Sequence, residues 1–111
     1  MSDNLSNLNR RRVPRFVVNE LVAVKFGENA QQQVTGTCRD VSVGGMYFWV
    51  DHRFKPGTHL EFLLDLPSQT MLIQPIRLKG TGTVLRIETL PGQKQLGVGV
   101  TFNHVEVVAH A

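Results

Sequence analysis

The stretch IRLKGTGTVLRIETLPGQKQLGVGVTF, residues 76–102, decides the fold class. From Ile76 the side chains alternate, with Leu78 and Gly80 on one face and Arg77, Lys79 and Thr81 on the other. The pattern continues through Val84, with Arg86 and Glu88 interspersed. A period of two over a half-apolar run is the mark of a strand with one wet face. Pro91 and Gly92 then turn the chain, and Gln95 to Phe102 returns as a second strand, so the segment predicts an antiparallel hairpin. Gly80 and Gly82 suggest a bend in the first arm. Gly97 and Gly99 allow close backbone approach or barrel curvature in the second.

Working outward, the same grammar repeats. Val22, Val24 and Phe26 alternate with Leu21, Ala23 and Lys25 before Gly27, Glu28 and Asn29 interrupt them. A second run covers Gln33 to Asp40, followed by a turn over Val41 to Gly45. Met46 to Val50 has no polar residue, so periodicity is silent; its length, aromatic content and flanking Gly45 and Asp51 favour a strand buried on both faces. Pro56 and Gly57 turn the chain again. Leu60 to Leu66 is the next run and stops at Pro67 and Ser68, and Met71 to Ile73 follows, with Pro75 at an edge or bulge. Asn103 to Ala111 reads as a helical turn, against which Val105, Val107 and Val108 argue. No amphipathic helix of useful length and no internal repeat is present. Six or seven short strands with Pro and Gly turns predict an all-β protein, a small antiparallel barrel.

At 111 residues the chain is one domain, long enough for a core without disulfides or a structural metal. Its charge is unevenly placed. Of 12 Lys and Arg and 9 Asp and Glu, the first sixteen residues hold Arg10, Arg11, Arg12 and Arg15 against Asp3, which leaves a neutral remainder. The pI near 9.5 therefore describes a neutral globule carrying a basic arm. Residues 1–9 are Ser, Asn and Asp with Leu5 and Leu8 as apolar anchors, the composition of a flexible lead-in. The single Cys38 excludes an internal disulfide and reads as a small packing residue. MSDNLSNLNR lacks the apolar stretch of a signal peptide, and no run approaches a membrane span, so the expectation is a soluble cytoplasmic protein.

The common catalytic constellations are missing. His52, His59, His104 and His110 have neither the spacing nor the cysteine company of a zinc site and read as surface residues. Ser42 is not in a G-x-S-x-G elbow, and the glycines form no phosphate-binding G-x-G-x-x-G or P-loop. The expectation is a binding protein with no metal, no cofactor and no catalytic set.

Two features are unusual as structural filler. One is Arg10-Arg11-Arg12-Val13-Pro14-Arg15, four guanidiniums within six residues. Guanidinium is planar and permanently charged; it suits paired hydrogen bonding to phosphate and to the O6/N7 edge of guanine. Pro14 keeps the segment extended. A plain solvated basic tail accounts equally for the composition. The other is Asp40-Val41-Ser42-Val43-Gly44-Gly45 between two strands. Asp40 and Ser42 supply a carboxylate and a hydroxyl on one side, beside glycine N–H groups that a ligand can approach. A turn in which both side chains cap local backbone is the alternative.

Taken together, in this order and about 25 residues apart, the two features resemble the R-x-x-x-R and [D/N]-x-S-x-x-G motifs of the PilZ domain family, here Arg11 to Arg15 and Asp40 to Gly45. The likeness extends from Arg10 to Phe102. It implies a PilZ-like six-stranded split barrel over residues 10–104, with a flexible basic N-terminal arm and a C-terminal tail over 105–111. It also implies a ligand, cyclic di-GMP, bound by Arg10, Arg11, Arg12, Arg15, Asp40, Ser42, Gly44 and Gly45. Arg11 and Arg15 would meet guanine edges and phosphates, and Asp40 would accept from N1–H and the N2 amine. In the family, an arginine at the position of Arg10 accompanies a stacked pair of ligands. Such a chain would act as a stand-alone receptor or adaptor whose arm orders on binding and whose output is an unidentified partner protein. Two alternatives stand beside this one. The first is a nucleic-acid-binding barrel stacking bases on Tyr47, Phe48 or Trp49, which the neutral barrel and the apolar 46–50 run disfavour. The second is a PilZ-like protein-interaction module without nucleotide.

Overall fold

The computed structural model describes residues 14–67 and 74–109. Six strands carry the chain: β1 (Phe16–Phe26), β2 (Gln32–Val41), β3 (Gly45–Val50), β4 (His59–Leu66), β5 (Ile76–Glu88) and β6 (Leu96–Ala109). One 3-10 turn, Glu28–Ala30, links β1 to β2. The strands close into an antiparallel barrel in the order β1-β2-β3-β6-β5-β4. The predicted class and strand count are what the molecule has.

Alternation places Val22 and Val24 of β1, Phe48 and Val50 of β3, and Leu60, Phe62 and Leu64 of β4 inside the barrel. Val84 of β5 meets Val98 and Val100 of β6 in the same core. Phe54, from the loop after β3, plugs one end with its ring edge-on to Phe26 at 4.9 Å. Each fully buried side chain of this size stabilises the fold by about 1.5–3 kcal/mol. Cys38 faces inward beside Phe48 and is fully buried. Burial, helped by the charge of Asp40, pushes its thiol pKa up to about 12.

Several sequence expectations need correction. β1 begins at Phe16, not Leu21, because Phe16 and Val17 pair with Val41 and Asp40 across an irregularity between Val17 and Glu20 that breaks the apolar period. Within the stretch read as a helical turn, residues 103–109 are strand instead, because β6 runs to Ala109. Val105, Val107 and Val108 lie opposite Gly80, Leu78 and Arg77, so the long arm of β5 supplies hydrogen bonds that an isolated turn would lack. Pro75 stands just before β5 and breaks no ladder. His52 is not a plain surface residue: its ring lies 4.7 Å from both Phe26 and Phe54. His59 and His104 are exposed as expected. The apolar run at 71–73, the lead-in at 1–9 and His110 lie outside the described residues.

Three further irregularities interrupt the ladders. Between β2 and β3, Cys38 pairs with Phe48 and Asp40 with Tyr47, which leaves Arg39 as an extra residue. Between β5 and β6, Leu85 is extra, since Val84 pairs with Val100 and Arg86 with Gly99. Asn103 is extra opposite Thr81 and Gly82, the point where the glycines predicted a bend. Each extra residue shifts the two-residue period, so the side chains beyond it change faces: Val84 is in the core before Leu85, and Ile87 packs on the core after it.

Candidate functional site

The outer wall formed by β2, β3, β6 and β5 carries a cleft of about 300 Å³. Arg15, Ser42, Gly44 and Gly45 line it from one side, and Leu85, Arg86, Gly99 and Thr101 from the other. Asp40, only 6% exposed, is not itself part of the lining and adjoins the cleft through Arg15. Arg15 donates from Nη1 to Asp40 Oδ1 at 2.8 Å, so the arginine segment and the Asp40 segment meet directly although 25 residues separate them. Asp40 Oδ2 accepts from Arg39 Nε at 2.7 Å. A carboxylate nearly removed from water thus has a guanidinium on each oxygen, as a buried charge requires.

The loop after β2 is built from its own backbone. Ser42 N–H donates to Gly45 O at 2.8 Å, and Gly44 N–H donates to Ser42 Oγ at 3.2 Å. Phe102 N–H then donates to Gly44 O at 2.9 Å, which ties the loop to β6. The hydroxyl of Ser42 therefore does cap the turn, and it lines the cleft as well. Gly45 has no alternative: a Cβ there would run into the carbonyl oxygen of Val100 on the neighbouring strand. Gly44 lies in open space.

Four of the eight sequence-predicted residues, Ser42, Gly44, Gly45 and Arg15, line the cleft, and Asp40 adjoins them through Arg15. Arg10, Arg11 and Arg12 lie outside the described residues.

Sequence reasoning missed Arg39, Leu85 and Arg86, and named Tyr47 only as a base-stacking residue of the nucleic-acid alternative. Tyr47 points outward from β3 yet is 2% exposed, because Arg39 covers its ring with Cζ 3.9 Å from the centroid. Its hydroxyl donates to Glu88 Oε1, and Gly97 lies beneath, where a Cβ would collide with the ring. Glu88 in turn pairs with Arg86 at 3.4 Å. A chain of contacts, Arg15, Asp40, Arg39, Tyr47, Glu88 and Arg86, so runs round the outer wall and returns to the cleft. Its signal in the sequence was Gly97, where any Cβ would collide with the Tyr47 ring.

Burial, reinforced by the hydrogen bond to Glu88, pushes the Tyr47 phenol up to about 12. A raised folded-state pKa means stability that is complete below the unfolded value near 10 and is lost as pH climbs through 12. Urea titrations from pH 9 to 12 should show this decline in the wild type and a shallower one in Tyr47→Phe; parallel slopes would refute the assignment.

Among the described residues no cluster of three potential metal ligands exists, and no helix is long and apolar enough to cross a membrane.

A closed six-stranded antiparallel barrel with an arginine- and glycine-lined cleft on its outer wall defines a small β-barrel binding module. The PilZ domain model matches residues 9–111, and the chain belongs to that family. PilZ domains typically bind cyclic di-GMP and are nucleotide receptors, not enzymes. Among solved structures, the chain is similar to the Bacillus subtilis inhibitor of motility MotI/DgrA, with a TM-score of 0.72 and 16% identity. That likeness covers 87% of this chain and 44% of the other, so the chain spans less than half of that protein's length. It is also similar to the PilZ domain, with c-di-GMP, of YcgR from Escherichia coli, with a TM-score of 0.53, 14% identity, and coverage of 85% of this chain and 78% of that one. No curated protein matches the chain by sequence.

Proposed function

We propose that the protein is a receptor for cyclic di-GMP, bound in the outer-wall cleft. The observation that carries this reading is the Arg15–Asp40 pair, which joins the arginine motif to the Asp-x-Ser-x-x-Gly motif beside Ser42, Gly44 and Gly45. Asp40 accepts from guanine N1–H and the N2 amine, the part of the edge that arginine cannot read. Arg11 and Arg15 donate to O6, N7 and phosphate oxygens, while Ser42 and the Gly44 and Gly45 backbone hold the same base. Adenine has no N1–H and carries an amine where arginine needs O6, so cyclic di-AMP is rejected.

In this reading Arg10 and Arg12 face a stacked pair of ligands whose four phosphate charges neutralise the arginines. Residues 10–15 close over the cleft as that countercharge arrives. The composite surface of segment, ligand and barrel rim is what a partner protein reads in the cytoplasm, with the nucleotide as signal and no chemical step of its own.

Titration calorimetry with cyclic di-GMP on the wild type and on Arg11→Ala tests the reading. Two ligands per chain are expected, with affinity down at least about tenfold in the variant, as loss of a charge-assisted hydrogen bond implies. One ligand per chain would remove the stacked pair. Undiminished tight binding by Arg11→Ala would remove the site. Binding that falls steeply with salt and accepts any base would indicate nucleic acid instead.

A further inference from the structure

We propose that Arg39, which neither motif contains, is a positioning residue that fixes the plane of the Asp40 carboxylate for two-point reading of guanine. The role rests on the protein being a cyclic di-GMP receptor.

In a regular strand Arg39 and Asp40 would point to opposite faces. After the inward Cys38, alternation alone would turn Arg39 outward and Asp40 inward; with Arg39 the extra residue between β2 and β3, Asp40 pairs with the outward Tyr47 and joins Arg39 on the outer wall. There the Arg39 guanidinium is held from two directions. Nε donates to Asp40 Oδ2 at 2.7 Å, and the plane lies on Tyr47, with Trp49 further along at 6.0 Å. Tyr47 cannot yield, because it is buried, seated over Gly97 and tied by its hydroxyl to Glu88. Arg39 is therefore a fixed peg. Arg15, on the other oxygen, has a side chain 64% exposed and is free to turn toward a ligand.

The terminal torsion of aspartate is broad, so an unpegged carboxylate samples many orientations. Guanine presents N1–H and N2–H as two parallel donors, which need both oxygens in one plane. Hypoxanthine has N1–H alone and tolerates a rotated carboxylate. The peg therefore acts on discrimination between the two bases, while Arg39 itself stays on Tyr47 and acts through Asp40.

Calorimetry on wild type, Arg39→Lys and Arg39→Ala with cyclic di-GMP and cyclic di-IMP tests this, with matching amide NMR spectra showing that the barrel is intact. The wild type should prefer cyclic di-GMP. In both variants the preference should fall by about tenfold, mostly through weaker cyclic di-GMP binding. Equal losses for both ligands, or an unchanged ratio, would overturn the proposal, since a merely structural or electrostatic role moves both alike. If the wild type binds neither dinucleotide, the receptor reading fails, and the peg is judged without nucleotide. The Arg39 Nε–H should exchange slowly with solvent in the wild type and rapidly in Asp40→Ala. Rapid exchange in the wild type would then refute it.

Discussion

Asp40→Ala is expected to weaken cyclic di-GMP binding by at least about a hundredfold, because two charge-assisted hydrogen bonds to the guanine edge disappear together. The barrel should remain folded. Asp40 belongs to the outer wall and not to the apolar core, and the guanidiniums it releases, on Arg15 and Arg39, are 64% and 44% exposed. Water takes up such groups at little cost. Calorimetry and far-UV circular dichroism on one preparation check both halves of the statement. Binding within about threefold of wild type would show that the carboxylate does not read the ligand, whatever the arginines do.

The second large effect is on stability. Gly45→Ala should lower Tm by roughly 10–20 °C, the consequence of about 3 kcal/mol of overpacking in a domain of this size. The obstacle is the Val100 carbonyl oxygen, part of the β3–β6 ladder in which Gly45 pairs with Thr101. Backbone cannot swing aside as a side chain can. Separating the strands there also strains the Ser42 N–H to Gly45 O bond, so the cleft should lose ligand affinity as well. Gly44→Ala is the matched control: its added Cβ meets nothing, and Tm should stay within about 3 °C. Similar melting of both variants would mean that the seam is looser than its geometry implies.

Much of the fold was legible in the sequence. Alternation in 76–88 and 96–102, Pro-Gly turns and the unbroken apolar run at 46–50 identified the barrel, because pleat periodicity and turn chemistry are local properties of the chain. The ends of β1 and β6 were not legible. Phe16–Leu21 has its period interrupted by a bulge, and 103–109 is strand because β5 lies alongside it.

For the candidate site, residue types alone left a solvated tail and a capped turn open, and it was the likeness to the two PilZ motifs that singled out Arg15, Asp40, Ser42, Gly44 and Gly45. Arg39, Tyr47 and Arg86 lie outside both motifs. A one-residue bulge turned Asp40 onto the outer face beside Arg39, Gly97 made room beneath Tyr47, and β6, lying between β3 and β5, set Glu88 within reach of Tyr47. Sequence by itself determined the all-β class, the motif residues and the concentration of charge near the N-terminus. Tertiary structure alone decided which neighbours hold the carboxylate and where the cleft opens. The reason is that one extra residue in a ladder reverses which face every following side chain meets, and composition does not record that reversal.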